Sequence, residues 1–245
     1  MILRRITALT ISRAGTAPPR CGTARRVRAA LTLAGIAALA TPAAAQSPRE
    51  TRGAPSGQFD FYVLALSWSP GFCEASGDLK GREQCAPGTG LGFVVHGLWP
   101  QYERGYPVEC EPSGRSPSRP ALEEAQGVFP DEGLARYEWR KHGTCTGLSP
   151  AAYFQAARNA RDLVTIPDSL RQPNVTSRVL PLDIERAFAE ANRGLRPEMM
   201  AVACGRRVFQ EIRICLDRTL SGFRACPEVD RDGCRAGEIT VFPVL

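Results

Sequence analysis

Histidine is nearly absent from this chain: its 245 residues hold two, His96 and His142, so any imidazole chemistry must be done by these two. No C-x-x-C pair occurs, which removes the usual framework for thiolate zinc binding. The ligand set that remains open to a metal is Cys145, three residues after His142, with Cys110 and others. A carboxylate-rich cluster of the kind used by two-metal sites is also missing. There is no internal repeat and no second composition regime, so a single domain is expected. The one apolar run, residues 29–40, is too short for a comfortable membrane span.

What stands around that run reads as an export signal. Residues 1–45 carry seven arginines and no acid, and Thr41-Pro42-Ala43-Ala44-Ala45 offers a small-residue cleavage site before Gln46. Periplasmic or extracellular delivery follows, with no membrane attachment after signal removal. The whole chain has a formal charge of +6, but without the leader 24 basic residues face 25 acids. A global positive field therefore cannot recruit a polyanion, and phosphate attraction has to come from a local cluster in a cleft. Of nine cysteines, Cys21 falls in the leader. The eight others, in an exported chain, imply four disulfides.

Residues 46–57, rich in Pro, Gly, Ser and charge, read as a flexible N-terminal segment, and the catalytic domain is placed at 58–245. Residues 59–67 suggest a strand buried on both faces. It is expected to end in a turn at Trp68-Ser69-Pro70-Gly71. A second strand is expected over 91–95 with His96 at its end. Helices are expected near 121–127, 132–141, 150–163 and 182–192, and strands over 201–204, 208–216 and 239–244. The fold class is α+β, with a central, mainly antiparallel sheet flanked by helices.

The segment DEGLARYEWRKHG (residues 131–143) has acids at its start, bases at its end and a glycine after it, all favouring a helix. Glu138, Lys141 and His142 then stand at i, i+3 and i+4 on one side, beside an apolar stripe of Leu134 and Tyr137. Taken alone, this is equally a solvated Glu-Lys pair with a histidine near a helix C-terminus. The second histidine changes the weighing. His96 follows an apolar strand and is followed by Gly97, which permits close backbone approach, and by Trp99, which can form a stacking wall or simply fill the core. Both histidines of the chain are thus followed by glycine amid polar and aromatic groups.

The segments FVVHGLWP (93–100) and YEWRKHGTC (137–145) resemble the two active-site segments of the ribonuclease T2 family. The similarity continues from 61–70 to the ending EIRICLD (211–217), Cys226-Pro227, Cys234 and 239–243. The resemblance implies the family's α+β fold and base-tolerant cleavage of RNA. It also implies the pairings Cys73 with Cys85, Cys110 with Cys145, Cys204 with Cys234, and Cys215 with Cys226. By the same match His96 and His142 are the acid-base pair, Glu138 and Lys141 serve the phosphate site, and Trp99 stacks on a base. His142 is assigned as base and His96 as acid in the first step. Tyr137 stands where some relatives have a third histidine; it can donate a hydrogen bond to phosphate but carries no positive charge. Gln101 stands where some have an acid that helps select a base. Single-stranded RNA is the expected substrate, DNA is expected to resist, and a monomer with no cofactor and no metal is expected. The competing reading is a catalytically silent RNA-binding or toxin-like module of the same fold, whose mark would be loss of a motif histidine.

Overall fold

The computed structural model describes residues 49–75, 83–110 and 116–244, and the export signal expected at 1–45 lies outside them. In chain order the elements are β1 (Glu50–Arg52), β2 (Phe61–Trp68), α1 (Ser69–Ala75), β3 (Phe93–Gln101), β4 (Tyr106–Val108), α2 (Arg119–Glu123) and α3 (Glu132–Lys141). They continue with α4 (Pro150–Asp162), α5 (Asp168–Arg171), β5 (Ser177–Val179), α6 (Pro181–Ala191), β6 (Met200–Gly205), β7 (Val208–Asp217), α7 (Pro227–Arg231) and β8 (Ile239–Val241). This is the α+β arrangement expected, with a mainly antiparallel sheet ordered β3-β2-β7-β8-β5 and β6 also paired to β7.

All eight residues of β2 are buried, because it is an inner strand with both faces covered. Tyr62, Leu64, Leu66 and Trp68 point to the main core, where they meet Leu98, Ile212, Ile214 and Leu216 and the helical residues Trp139, Tyr153, Phe154 and Phe188. Phe61 and Val63 point the other way and pack with Cys215, Cys226 and Trp99. The active-site candidates lie on that second face.

Three local expectations are corrected. The stretch 68–71 is not a turn: Ser69 opens α1, where Pro70 sits in the first turn that tolerates it. Gly71 lets this helix lie against β7, since a Cβ there would fall 1.7 Å from the Phe209 carbonyl oxygen. The second strand does not stop at residue 95 but runs on to Gln101, paired with β2 along its length. Its register shifts where Ala65 faces Gly97 and Leu66 faces Val95. His96 is therefore the extra residue of a β-bulge in mid-strand.

The flexible segment expected at 46–57 is, from residue 49 on, built into the fold. β1 pairs in parallel with β4. Gly53 donates its N–H to Val108 at 2.9 Å, Ser56 Oγ donates to the Thr144 carbonyl at 2.6 Å, and Gly57 N–H donates to the Cys145 carbonyl at 2.9 Å. Ala54 is buried against Cys110 and Cys145. Composition marked this segment as polar, but its backbone groups find partners in the disulfide-tied region beside the second active-site segment. All four disulfides form with the pairings expected: Cys73–Cys85, Cys110–Cys145, Cys204–Cys234 and Cys215–Cys226.

Candidate active site

α3 begins at Asp131, whose side chain accepts the Leu134 N–H at 2.7 Å, and ends with Arg140 and Lys141 in the last turn. His142 closes it, giving its backbone N–H to the Glu138 carbonyl at 2.9 Å. The inward face carries Ala135, Glu138 and Trp139 with His142. Tyr137 is 40% exposed and Leu134 only half-buried, so the apolar stripe lies one position off the expected one. Gly143 allows the helix end to close: a Cβ there would fall 2.4 Å from the Trp139 ring.

β3 brings the other half. Its bulge turns His96 onto the face that also carries Gly97 and Trp99. The indole Nε1 of Trp99 donates to Glu138 Oε2 at 2.7 Å, and His96 Nε2 lies 3.7 Å from Glu138 Oε1. The His96 and His142 rings stand 5.2 Å and 5.3 Å from the Trp99 ring, on an edge and a tilted face respectively. His96, Trp99, Tyr137, Glu138, Lys141 and His142 all line one cavity of about 430 Å³. Every side chain singled out from the sequence for catalysis or substrate binding is thus in that one cavity.

Trp99 is half-buried in the cavity wall and is engaged by several protein groups. The Arg213 guanidinium lies 5.4 Å from its ring centre, His142 faces it, and its N–H is taken by Glu138. At Tyr137, by contrast, the ring is partly open and flanked by the Arg140 and Lys141 cations. Gln101, Tyr106, Val63 and Val229 line the same cavity, with Glu228 and the ion-paired Arg49 and Asp232.

The two imidazoles are tuned in opposite directions. Burial works against the charged form of His96, but the Glu211 hydrogen bond and the Glu211 and Glu138 charges outweigh it, and its pKa is raised. His142 is buried, and the Lys141 and His96 charges add to the burial, so its pKa is held well below the ordinary histidine value. Its Nδ1 is buried without a hydrogen-bond partner among the described residues. Burial pushes the Glu138 carboxyl up to about 7, against the opposing pull of His96, the Trp99 N–H and Lys141. One imidazole thus favours carrying a proton and the other favours lacking one.

Glu211 and Arg213 were not singled out as site residues from the sequence. Glu211 Oε2 lies 2.6 Å from His96 Nδ1 and accepts its N–H when that nitrogen is protonated, and Arg213 Nε donates to Glu211 at 2.8 Å. The available signal was charge in an otherwise apolar strand: β7 reads VFQEIRICLD, and an acid in a central strand needs a partner. The ligand set left open to a metal loses its thiolates, because Cys110 and Cys145 are bonded to each other. Among the described residues no three His, Cys, Asp or Glu side chains gather as a metal site.

A sheet-borne bulge histidine and a helix-end histidine thus face one cavity with a buried glutamate beside them. The Ribonuclease T2 family matches residues 59–226, and the chain belongs to that family. A ribonuclease from Aeromonas hydrophila is 39% identical over 166 residues, covering 66% of this chain and 74% of its own. Among solved structures, an RNase-related protein from Calystegia sepium superposes with a TM-score of 0.61 at 22% identity, over 76% of this chain and 98% of its own. A mutant of RNase MC1 in complex with 5′-UMP has a TM-score of 0.53 at 20% identity, over 68% and 92%. These two share the fold with this chain.

Proposed function

We propose that this family member cleaves single-stranded RNA in two steps, without a metal. In the first, His142 takes the ribose 2′-hydroxyl proton as that oxygen attacks the adjacent phosphorus. The bond from phosphorus to the 5′-oxygen breaks, and protonated His96 supplies a proton to the departing oxygen. The products are a 2′,3′-cyclic phosphate and a free 5′-hydroxyl. In the second step the roles reverse: His96, now neutral, takes a proton from water, which opens the ring to a 3′-phosphate, and His142 returns its proton to the 2′-oxygen.

Lys141 stabilises charge building on the phosphoryl oxygens. Glu138, raised to about 7, is protonated on the acid side of neutrality and then donates a hydrogen bond to the same oxygens. The observation that carries this reading is the opposite tuning of two histidines that line one cavity. It fits the base at His142 and the acid at His96. Because one group must be neutral and the other charged, the rate falls on both sides of an optimum. The acid limb lies below the ordinary histidine value and the basic limb above it. The four disulfides suit an oxidising compartment outside the cytoplasm.

The test is product analysis by mass spectrometry on an oligoribonucleotide and its DNA counterpart, with and without chelator. Expected are cyclic phosphate ends that later open, inert DNA, and a rate unaffected by chelation. His96→Ala and His142→Ala should each lose about 10²- to 10⁴-fold in rate. DNA cleavage, 5′-phosphate ends or loss of activity with chelator would exclude the mechanism.

A further inference from the structure

Glu211 sits on β7 opposite Ser67 of β2, on the face that carries the site, and is 5% exposed. Both carboxylate oxygens are engaged. Oε2 is 2.6 Å from His96 Nδ1 and accepts from Ser67 Oγ at 3.4 Å, while Oε1 accepts from Arg213 Nε at 2.8 Å. Glu211 does not line the cavity, whereas His96 and Arg213 do. It therefore stands behind the imidazole, away from any substrate.

We propose that Glu211 is a positioning residue for His96: by accepting from Nδ1 it turns Nε2 toward the cavity and makes that nitrogen the sole one that exchanges a proton with substrate. The proposal rests on the reading of His96 as the acid-base group of the site. A free imidazole divides its neutral form between two tautomers and rotates about its side-chain bonds. A carboxylate on Nδ1 fixes both, so the nitrogen that gives a proton in the first step is the one that takes a proton in the second. Arg213 fixes the carboxylate in turn. Burial would raise the Glu211 carboxyl, but His96 and Arg213 hold it below the usual range, so it remains an anion. The charged and titratable groups around His96 are Glu211 and Arg213 from β7 and Glu138, Lys141 and His142 from the end of α3. Of these, Glu211 alone is bonded to its Nδ1 among the interactions described.

With two histidines in the chain, nitrogen NMR of the full folded protein labelled at histidine resolves both, and His142→Ala assigns them. In the unaltered protein, neutral His96 should carry its proton on Nδ1. In Glu211→Gln, which keeps an acceptor but loses the charge, its titration midpoint should fall by about one pH unit or more. The basic limb of kcat/KM against pH should move down with it, while KM for a short oligoribonucleotide changes little. A neutral His96 protonated on Nε2 overturns the proposal without recourse to any variant. So does an unmoved His96 midpoint in a Glu211→Gln protein whose near-ultraviolet dichroism is unchanged. If the NMR results hold but His96→Ala cleaves RNA at full rate, the failure lies in the acid-base role given to His96, and Glu211 is then only a structural partner.

Discussion

Trp99 and Glu138 are joined by a 2.7 Å hydrogen bond that passes over Gly97, and a Cβ on that glycine would lie 2.2 Å from both bonded atoms. The glycine after the first histidine is thus a space requirement of the site. Gly97→Ala should separate indole from carboxylate, cost about 1–3 kcal/mol as an overpacked position, and lower kcat more than it raises KM. Denaturant unfolding and steady-state kinetics check this together. Wild-type behaviour in both would mean that the contact has no role.

Trp99→Phe keeps a ring between His142 and Arg213 but removes the donor to Glu138. A hydrogen bond to a charged group contributes about 1.5–3 kcal/mol, so the carboxyl should titrate above its present value of about 7. The main kinetic effect should fall on kcat, since the indole is bonded to Glu138 and faces His142 and Arg213. A raised KM with unchanged kcat would instead support the base-stacking role that the resemblance implies.

Stability should carry the cost of the site. Glu138 titrates at about 7 in the folded chain, against an ordinary 4.5. The folded state therefore binds more protons than the unfolded one between those values, and stability falls as pH rises through that window. Glu138→Gln removes the buried charge and should be more resistant to urea than the parent at pH 8. The advantage should disappear below pH 4.5. Equal resistance at both pH values would refute the burial argument.

No thiol should titrate in a chain starting at Gln46 under denaturing, non-reducing conditions, since its eight cysteines are paired. Cutting Cys110–Cys145 by a double alanine substitution should cost about 2–5 kcal/mol. It should also depress activity, because the bond joins the end of β4 to the turn that follows His142. A double variant with parental activity would show that this anchor does not serve the helix end.

Much of this site was legible in the sequence because its key residues come in two short segments with local rules. Helical spacing put Glu138, Lys141 and His142 together, and caps and charges marked where α3 begins and ends. What escaped was non-local. Alternation along 91–101 gives no sign of which residue is extra in a bulge; that is set by pairing with β2. Glu211 and Arg213 meet His96 only after strands far apart in sequence have paired. The polar segment beginning at residue 49 looked free because its partners, Val108, Thr144 and Cys145, are also distant.

The bulge at His96 also limits what could be borrowed from this protein. In a regularly pleated strand, neighbouring residues face opposite ways, and with Leu98 and Val95 in the core and Gly97 and Trp99 on the site face, residue 96 would have no regular place. The extra residue lets His96 and Gly97 serve the same side. Transplanting HGLWP onto an unbulged strand of another scaffold would carry the letters and lose the orientation. The smallest unit that carries the orientation of His96 is the offset pair of strands β2 and β3, with its register intact.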